Sequence, residues 1–186
     1  PRTPQMKFRI PLPRPVPPLT VLRRSVDAFV AAGAAAVVVV CPQSRWEETG
    51  LSAAVFPVPV SRVDGGTERQ DSVAAGLAAL PAGTRMVAVH DGARPLITPQ
   101  GIRACLAAAE TTGAAACAHP VVDTLKRADA EGCALPEKVS RENLWGMETP
   151  QIFRLDLLKQ AYEYVKSHQL VVTDEVSAAA DELFIG

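Results

Sequence analysis

Stretches with helical spacing of apolar residues alternate along the chain with short, continuously apolar runs. Residues 35–41 and 86–90 are such runs, which are typical of strands buried on both faces of a sheet. Residues 19–32 and 154–167 repeat apolar side chains every three or four positions and predict amphipathic helices. The same criteria predict strands over 55–60 and 114–118, helices over 68–80 and 98–112, and a last helix that begins at Thr173.

The order of these elements predicts the fold class. Strands that alternate with helices at this spacing indicate an α/β fold, with a mostly parallel sheet and helices on both faces. The 186 residues suffice for one such domain. The stretch 120–153 breaks the rhythm, and we interpret it as an inserted arm, such as a hairpin, outside the main sheet. Residues 1–18 hold seven of the 16 prolines, so neither a helix nor a central strand is expected there.

Composition narrows the class of protein. With 48% hydrophobic and 21% charged residues the chain is globular, and a net charge of −1 gives no indication of nucleic-acid binding. Six cations and no acid precede Asp27, so this basic segment either attracts a polyanionic ligand or is a solvated tail.

Cysteine usage and hydropathy indicate a compartment. The four cysteines lack metal-ligand spacing, and Cys41, Cys105 and Cys117 have apolar neighbours, so we expect buried thiols and a cytoplasmic location. No apolar stretch reaches the roughly 20 residues of a membrane span, and no secretory signal is recognisable. The chain begins at Pro1, and residues 183–186 resemble the start of another strand, so we expect both termini to be cropped.

An acid and a guanidinium follow the apolar run 86–90. Asp91 comes directly after this predicted strand, and Arg94 lies three residues further on. Ligands of open α/β sheets bind beyond the carboxyl ends of the strands, where an acid can hold a divalent cation and an arginine can bind a phosphate. Gly92 allows backbone to approach a ligand closely. The alternative is a loop ion pair that only stabilises the turn.

A glycine turn at 64–66 leads into the predicted helix over 68–80. The N-terminus of a helix exposes unpaired N–H groups, which can bind anions or base edges. Arg69, Asp71 and Ser72 form a polar cluster in its first turns. The alternative is an ordinary turn followed by a helix cap.

The stretch 120–153 also contains candidate polar residues. Strand alternation would place Thr124 and Lys126 on one face and Asp123 on the other, although a solvated edge strand explains this pattern equally well. Arg141 and Trp145 are similarly ambiguous. His90 and His119 end predicted strands, and we interpret both as structural residues rather than as bases.

Taken together, these segments resemble the family of cytidylyltransferases that activate 2-C-methyl-D-erythritol 4-phosphate in the non-mevalonate isoprenoid pathway. Five blocks match in order, and they cover roughly residues 19–186. The resemblance implies a Rossmann-like nucleotidyltransferase sheet of the nucleotide-diphospho-sugar transferase type, with a protruding β-arm that forms a homodimer. The five blocks are 64–77, 89–95, 120–126, 141–153 and 173–177.

The resemblance also implies roles for individual residues. Asp91 matches the acid that binds the catalytic Mg²⁺, and Arg94 and Thr124 match contacts for the methylerythritol phosphate. Gly66, Ser72 and Gly92 match positions around the cytosine and ribose. Arg141 and Thr149 would lie on an arm that reaches the neighbour's substrate, and Thr173 would line the substrate pocket.

The implied reaction is attack of the acceptor phosphate on the α-phosphorus of CTP, with release of pyrophosphate. The family's glycine-rich phosphate loop has no match in this sequence, and only residues 4–8 echo its end, with Lys7 as the candidate phosphate-binding lysine. Two alternatives stay open. One is a cytidylyltransferase for another polyol phosphate, such as ribitol 5-phosphate, and the other is a non-catalytic nucleotide-binding dimer.

Overall fold

Within residues 18–168, the part of the chain that the computed structural model describes, helices and strands alternate largely as predicted. A helix at Gln43–Glu48 and a 3₁₀ turn at Leu51–Ala53 are additional to the prediction. The helices are α1 (Pro18–Ala32), α2 (Gln43–Glu48), α3 (Arg69–Ala78), α4 (Pro99–Thr112) and α5 (Leu155–Ser167). The strands are β1 (Val37–Val40), β2 (Val60–Val63), β3 (Met86–Val89), β4 (Ala114–Pro120) and β5 (Trp145–Arg154).

The described strands form two sheets. β1 and β2 pair in parallel, while β5 lies between β3 and β4 and is antiparallel to both. β3 and β4 therefore run in the same direction, as a mostly parallel arrangement requires, and β5 is the exception. The predicted α/β class is confirmed.

Helices cover both faces of the three-stranded sheet, because successive residues of β5 point to opposite sides. Phe153 packs in one core cluster with residues of α3 and α5, whereas Ile152 packs in another with residues of α1 and α4. Both side chains are almost completely buried, at 1% and 2% exposure. The prediction of helices on both faces is therefore confirmed.

The stretch 120–153 differs from the prediction in its second half. β5 is the central strand of its sheet, so the prediction that residues up to 153 lie outside the main sheet is wrong. Burial changes along this one strand, from a half-exposed segment beyond the sheet core to a buried segment at 149–153. Residues 121–126 lie outside any strand, so the alternative of a solvated edge strand is also wrong.

The strand predicted over 55–60 lies further along the chain, at β2. Pro57 and Pro59 have no N–H groups and cannot donate to a neighbouring strand. Pro59 takes part only as an acceptor, through its carbonyl, for the N–H of Val37 at 2.9 Å. Regular pairing with β1 therefore begins at Val60.

A cavity of about 870 Å³ lies between the two sheets. Residues of β1 and β3 line it, and among residues 18–168 no strand pairs with the edges that these two strands turn towards it. In the same part of the chain, no helix is both long enough and apolar enough to cross a membrane.

Candidate active site

Asp91 lies at the end of β3 and is flanked by two guanidinium groups. Arg94 Nε donates to Asp91 Oδ2 at 3.1 Å, and the N–H of Arg94 donates to the carbonyl of Asp91 at 2.9 Å, which closes the turn. Nη2 of Arg69, the first residue of α3, lies 3.9 Å from Asp91 Oδ1. The predicted loop ion pair exists, but the Asp91 side chain stays 43% exposed and can still bind a ligand.

The glycine turn is held against the start of α3. Ser72 Oγ accepts the N–H of Gly66 at 3.1 Å and donates to the carbonyl of Glu68 at 3.2 Å. Asp71 Oδ2 accepts the N–H of Glu68 at 3.2 Å. A Cβ on Gly66 would lie 2.2 Å from Cβ of Asp71, so only glycine fits there. Asp71 and Ser72 thus shape the turn that would contact a nucleotide.

Four of the residues singled out from the sequence meet at one cavity. Arg69, Ser72, Asp91 and Gly92 all line the space between the two sheets, although they come from two separate segments of the chain. A Cβ on Gly92 would lie 2.9 Å from Cδ1 of Leu22, the flexible end of a side chain of α1. The first turns of α3 and the start of the Asp91–Arg94 turn therefore lie at one cavity.

Thr149 joins the site from β5. Its Oγ1 accepts the N–H of Asp91 at 3.1 Å and lies 3.0 Å from Nδ1 of His90. Thr149 is only 7% exposed, so its hydroxyl is directed inwards. The prediction that Thr149 lies on the protruding arm is wrong, because its part of β5 is buried in the sheet.

His90 precedes Asp91 and was interpreted from the sequence as a structural residue. Its Nε2 lies 3.2 Å from the carbonyl of Arg94 and its Nδ1 lies 3.0 Å from Thr149 Oγ1, so both ring nitrogens have partners. Burial lowers the pKa of His90 below its ordinary value, which favours the neutral ring. The interpretation of His90 as a structural residue agrees with this geometry.

Sequence reasoning missed Arg62, which lies in β2 just before the glycine turn. It donates to both carboxylate oxygens of Asp64, at 2.5 and 3.0 Å, and to the carbonyl of Cys41 at 2.9 Å. These bonds connect the ends of β1 and β2 just before the glycine turn. The hydrogen bond from Arg62 also holds the pKa of Asp64 below its usual value. An arginine two residues before an acid at a strand end was the available signal.

The residues predicted on the arm form a separate group. Thr124 and Arg141 line a second cavity of about 540 Å³, together with Lys126, Lys138 and Ser140. Arg141 is fixed by a hydrogen bond from its guanidinium to the carbonyl of Val122. Neither Thr124 nor Arg141 lines the cavity beside Asp91. The remaining predicted residues, Lys7 and Thr173, lie outside the described part of the chain.

Asp91 is suited to be a single protein ligand for Mg²⁺. Magnesium ions at phosphate-binding sites commonly bind one or two carboxylates, with waters and phosphates completing the shell. Within residues 18–168 no three His, Cys, Asp or Glu side chains converge on one point. The half-exposed Asp91 carboxylate at the cavity is accessible as one such carboxylate.

The buried cysteines belong to the core rather than to the chemistry. Cys105 is 7% exposed and packs between α4 and β5. Burial raises the pKa of its thiol to about 12, so the nucleophilic thiolate is rare at neutral pH. The prediction of a small buried hydrophobic residue is confirmed for Cys105, whereas Cys41 and Cys117, for which it was also made, are only partly buried.

Comparison with known proteins agrees with the geometry of the site. Residues 15–182 match the family model described as IspD: 2-C-methyl-D-erythritol 4-phosphate cytidylyltransferase. The chain belongs to this family. The match includes both the glycine turn and the Asp91–Arg94 turn, as well as the arm residues Thr124 and Arg141.

Individual relatives carry the same name. The chain is similar to the enzyme of this name from Halalkalibacterium halodurans, with 43% identity over 76% of this chain and 61% of the relative. The relative from Pelotomaculum thermopropionicum is 48% identical over 61% of this chain and 47% of its own length. The chain thus spans about half to three-fifths of the length of these two relatives.

A solved structure of the family has the same fold. The crystal structure of 2-C-methyl-D-erythritol 4-phosphate cytidylyltransferase from Thermus thermophilus superposes with a TM-score of 0.72 at 32% identity. The similarity covers 87% of this chain and 73% of that protein. The nucleotidyltransferase-type fold that the resemblance implies is therefore confirmed.

Proposed function

We propose that this protein transfers the cytidylyl group of CTP to 2-C-methyl-D-erythritol 4-phosphate and releases pyrophosphate, as a step of isoprenoid precursor biosynthesis. The observation that carries the proposal is that the start of α3, which holds the glycine turn, and the start of the Asp91–Arg94 turn meet at one cavity, within a family match over residues 15–182. One turn suits a nucleotide, and the other presents an acid and a guanidinium.

The reaction needs no covalent enzyme intermediate. An oxygen of the acceptor's phosphate forms a bond to the α-phosphorus of CTP, and the bond from that phosphorus to the oxygen bridging to the β-phosphate breaks. Pyrophosphate leaves with that oxygen. Because both reactants are polyanions, positioning and the offset of negative charge are the main contributions that the protein can make.

The described side chains can supply these contributions. Arg94 lies at the open side of the Asp91 turn, 46% exposed, where its guanidinium can bind the acceptor phosphate. Arg69 is also partly exposed, at 39%, and lies at the N-terminus of α3, where anions are stabilised. The Gly66–Ser72 turn would hold the cytidine moiety. Lys7 and Thr173 would add contacts to the triphosphate and to the acceptor.

Asp91 would hold the magnesium ion. When bound there, Mg²⁺ supplies charge neutralisation on the phosphates that meet at the site. Asp91 lies beside the guanidinium groups of Arg94 and Arg69, and 43% of its side chain stays exposed, so its carboxylate is accessible to a metal ion.

We further propose that the protein acts as a homodimer in which the arm of each subunit completes the site of the other. Thr124 and Arg141 line a cavity of their own, which carries the cations Lys126 and Lys138 as well. Apolar side chains next to it are exposed, with Val122 at 72% and Trp145 at 58%, which is typical of surfaces that bind another protein.

We propose a cytoplasmic location for the enzyme. The cysteines at positions 41, 105, 117 and 133 are all free thiols. Free thiols are typical of proteins from reducing compartments.

The proposed function is tested by supplying one nucleotide and two acceptors. With CTP and Mg²⁺, we expect turnover of 2-C-methyl-D-erythritol 4-phosphate and much slower turnover of ribitol 5-phosphate. ³¹P NMR of the new diphosphate linkage measures both rates. Turnover of ribitol 5-phosphate alone would contradict the proposed acceptor. Binding of CTP without turnover of either acceptor would favour a non-catalytic nucleotide-binding protein.

A further inference from the structure

We propose that His90 is a positioning residue, whose neutral ring links the Asp91–Arg94 turn to Thr149 of β5 and so sets the geometry of the acid and guanidinium. The inference goes beyond the proposed function, since it concerns what holds the site's turn in place. Of the measurements that test it, only the kinetic one rests on the proposed function.

One neutral tautomer of His90 satisfies all the hydrogen bonds around its ring. The carbonyl of Arg94 can only accept, so Nε2 of His90, 3.2 Å away, carries the hydrogen. Thr149 Oγ1 already accepts the N–H of Asp91, and its own hydrogen is therefore free to be donated to Nδ1 of His90. The neutral tautomer with hydrogen on Nε2 satisfies every group in this set.

These bonds close a ring of contacts around the turn. His90 holds the carbonyl at the end of the turn, and Thr149 holds the N–H at its start. Thr149 is separated from His90 by 59 positions in the sequence, so the pair connects β5 to the residues that follow β3. Loss of the His90 ring nitrogens would release the carbonyl of Arg94, and loss of the Thr149 hydroxyl would release the N–H of Asp91.

Packing keeps the imidazole ring in the required orientation. Phe29 of α1 lies against it, with ring centroids 5.2 Å apart and ring planes inclined by 59°. The side chain of Thr149 is fixed in the same way by its burial in β5. A ring without nitrogens could therefore occupy the same space, which separates the role of the hydrogen bonds from that of packing.

The hydrogen-bonding role can be tested with paired substitutions. His90→Phe keeps an aromatic ring beside Phe29 but removes both bonds, and Thr149→Val removes the hydroxyl with little change of volume. Thr149→Ser retains the hydroxyl and should rescue the Thr149→Val effect. His168→Phe is the matched control, because His168 is exposed at the end of α5 and outside the site.

The first readout does not depend on activity. In the native protein, ¹⁵N NMR should show a protonated Nε2 and an unprotonated Nδ1 for His90, and the opposite tautomer would overturn the proposal. Amide exchange at Asp91 should become at least about fivefold faster in His90→Phe and in Thr149→Val, as expected for one lost hydrogen bond. Unchanged exchange at Asp91 in both variants would also overturn it.

The second readout is kinetic and uses the proposed reaction. His90→Phe should lower kcat at least about tenfold and leave the KM for CTP within about twofold, and the double variant with Thr149→Val should lose no more than His90→Phe alone. If the losses in kcat of His90→Phe and Thr149→Val add in the double variant, a shared role of His90 and Thr149 is overturned. A native protein inactive with CTP would refute the proposed function, whereas the NMR and exchange results would still decide the role of His90.

Discussion

Asp91 lies between the guanidinium groups of Arg94 and Arg69, and 43% of its side chain remains accessible from the cavity. Its surroundings therefore combine two features that rarely serve packing alone, namely cations and exposure. Conversion to the amide would preserve the shape of the side chain and its bond to Arg94 while removing the negative charge. This makes Asp91→Asn a sharper test than truncation to alanine.

For Asp91→Asn we expect turnover with Mg²⁺ to fall roughly 100-fold or more, because the proposed ligand for the metal loses its charge. The free energy of unfolding should change by no more than about 0.5 kcal/mol, since the side chain is not buried. Steady-state kinetics and urea unfolding measure the two effects.

The matched control for this substitution is Asp27→Asn. Asp27 forms an exposed ion pair with Arg23 on α1, at 2.7 Å, and loses the same charge in the variant. Turnover should then stay within about twofold of the unsubstituted protein. Full magnesium-dependent activity in Asp91→Asn would contradict the proposed metal role.

At the scale of secondary-structure elements, the start of α3 depends on the absence of a side chain at Gly66. Replacement by alanine would place a Cβ 2.2 Å from Cβ of Asp71, so the glycine turn or the first turn of α3 would have to move. For Gly66→Ala we expect a loss of about 1–3 kcal/mol in the free energy of unfolding, and weaker binding of CTP. Urea unfolding and calorimetric titration with CTP measure these effects.

Gly101→Ala is the control for this element. Gly101 lies in α4, and the nearest atom to an added Cβ is Thr98 Oγ1 at 3.4 Å, an ordinary contact. Because alanine favours helix more than glycine does, the free energy of unfolding should rise by about 0.5 kcal/mol. Equal effects at Gly66 and Gly101 would show that close approach to Asp71 is not the reason for glycine at position 66.

Within residues 18–168, β1 and β3 each have an edge that pairs with no other strand, and this leads to a second expectation about elements. Val37 and Cys41 donate towards β2, so the N–H of Val38 points to the cavity, as does the N–H of Ala88 in β3. In this chain we expect the amide protons of Val38 and Ala88 to exchange much faster than those of Val39 and Val87. Hydrogen-exchange NMR would measure the difference.

How far the sequence predicted these elements depends on the physical signal that each one carries. β1 and β3 are continuous apolar runs and were predictable as strands from that pattern, although only Val39 and Val87 in them are fully buried. β5 changes from half-exposed to buried along its length, so neither alternation nor a continuous run identifies it. The start of β2 at Val60 was not predictable for a similar reason. Whether a proline interrupts a strand depends on which N–H groups must pair with the neighbouring strand.

The candidate site divides in a similar way. Asp91 and Arg94 are close in sequence, and their position after an apolar run was sufficient to predict that they act together. Thr149 reaches the same turn only through the placement of β5, and its contact with His90 bridges 59 positions. Such long-range contacts are set by tertiary structure and leave no local sequence pattern. The sequence therefore indicated only that His90 is a structural residue.

At the scale of the whole molecule, the proposed dimer would bring together two groups of predicted residues that line separate cavities. The cavity beside Asp91 and the arm cavity beside Thr124 have no lining residue in common. We therefore expect a dimer that depends on the exposed apolar residues of the arm, and Trp145→Glu should shift the protein to monomers in sedimentation velocity experiments.

The matched control is Val55→Glu, a substitution at a residue that is 93% exposed but lies outside the arm. It should leave the dimer intact. If Trp145→Glu dissociates the dimer, turnover should fall with dissociation, because Thr124 and Arg141 would no longer meet the Asp91 site. A fully active monomer would contradict the proposed contribution of the arm.

The most direct test of the central claim is pyrophosphate release by the complete gene product supplied with CTP, Mg²⁺ and 2-C-methyl-D-erythritol 4-phosphate. We predict that release requires all three components and that Asp91→Asn abolishes it. No release from the complete protein, or release that is equally fast without the acceptor phosphate, would contradict the assignment of this protein as a cytidylyltransferase for that acceptor.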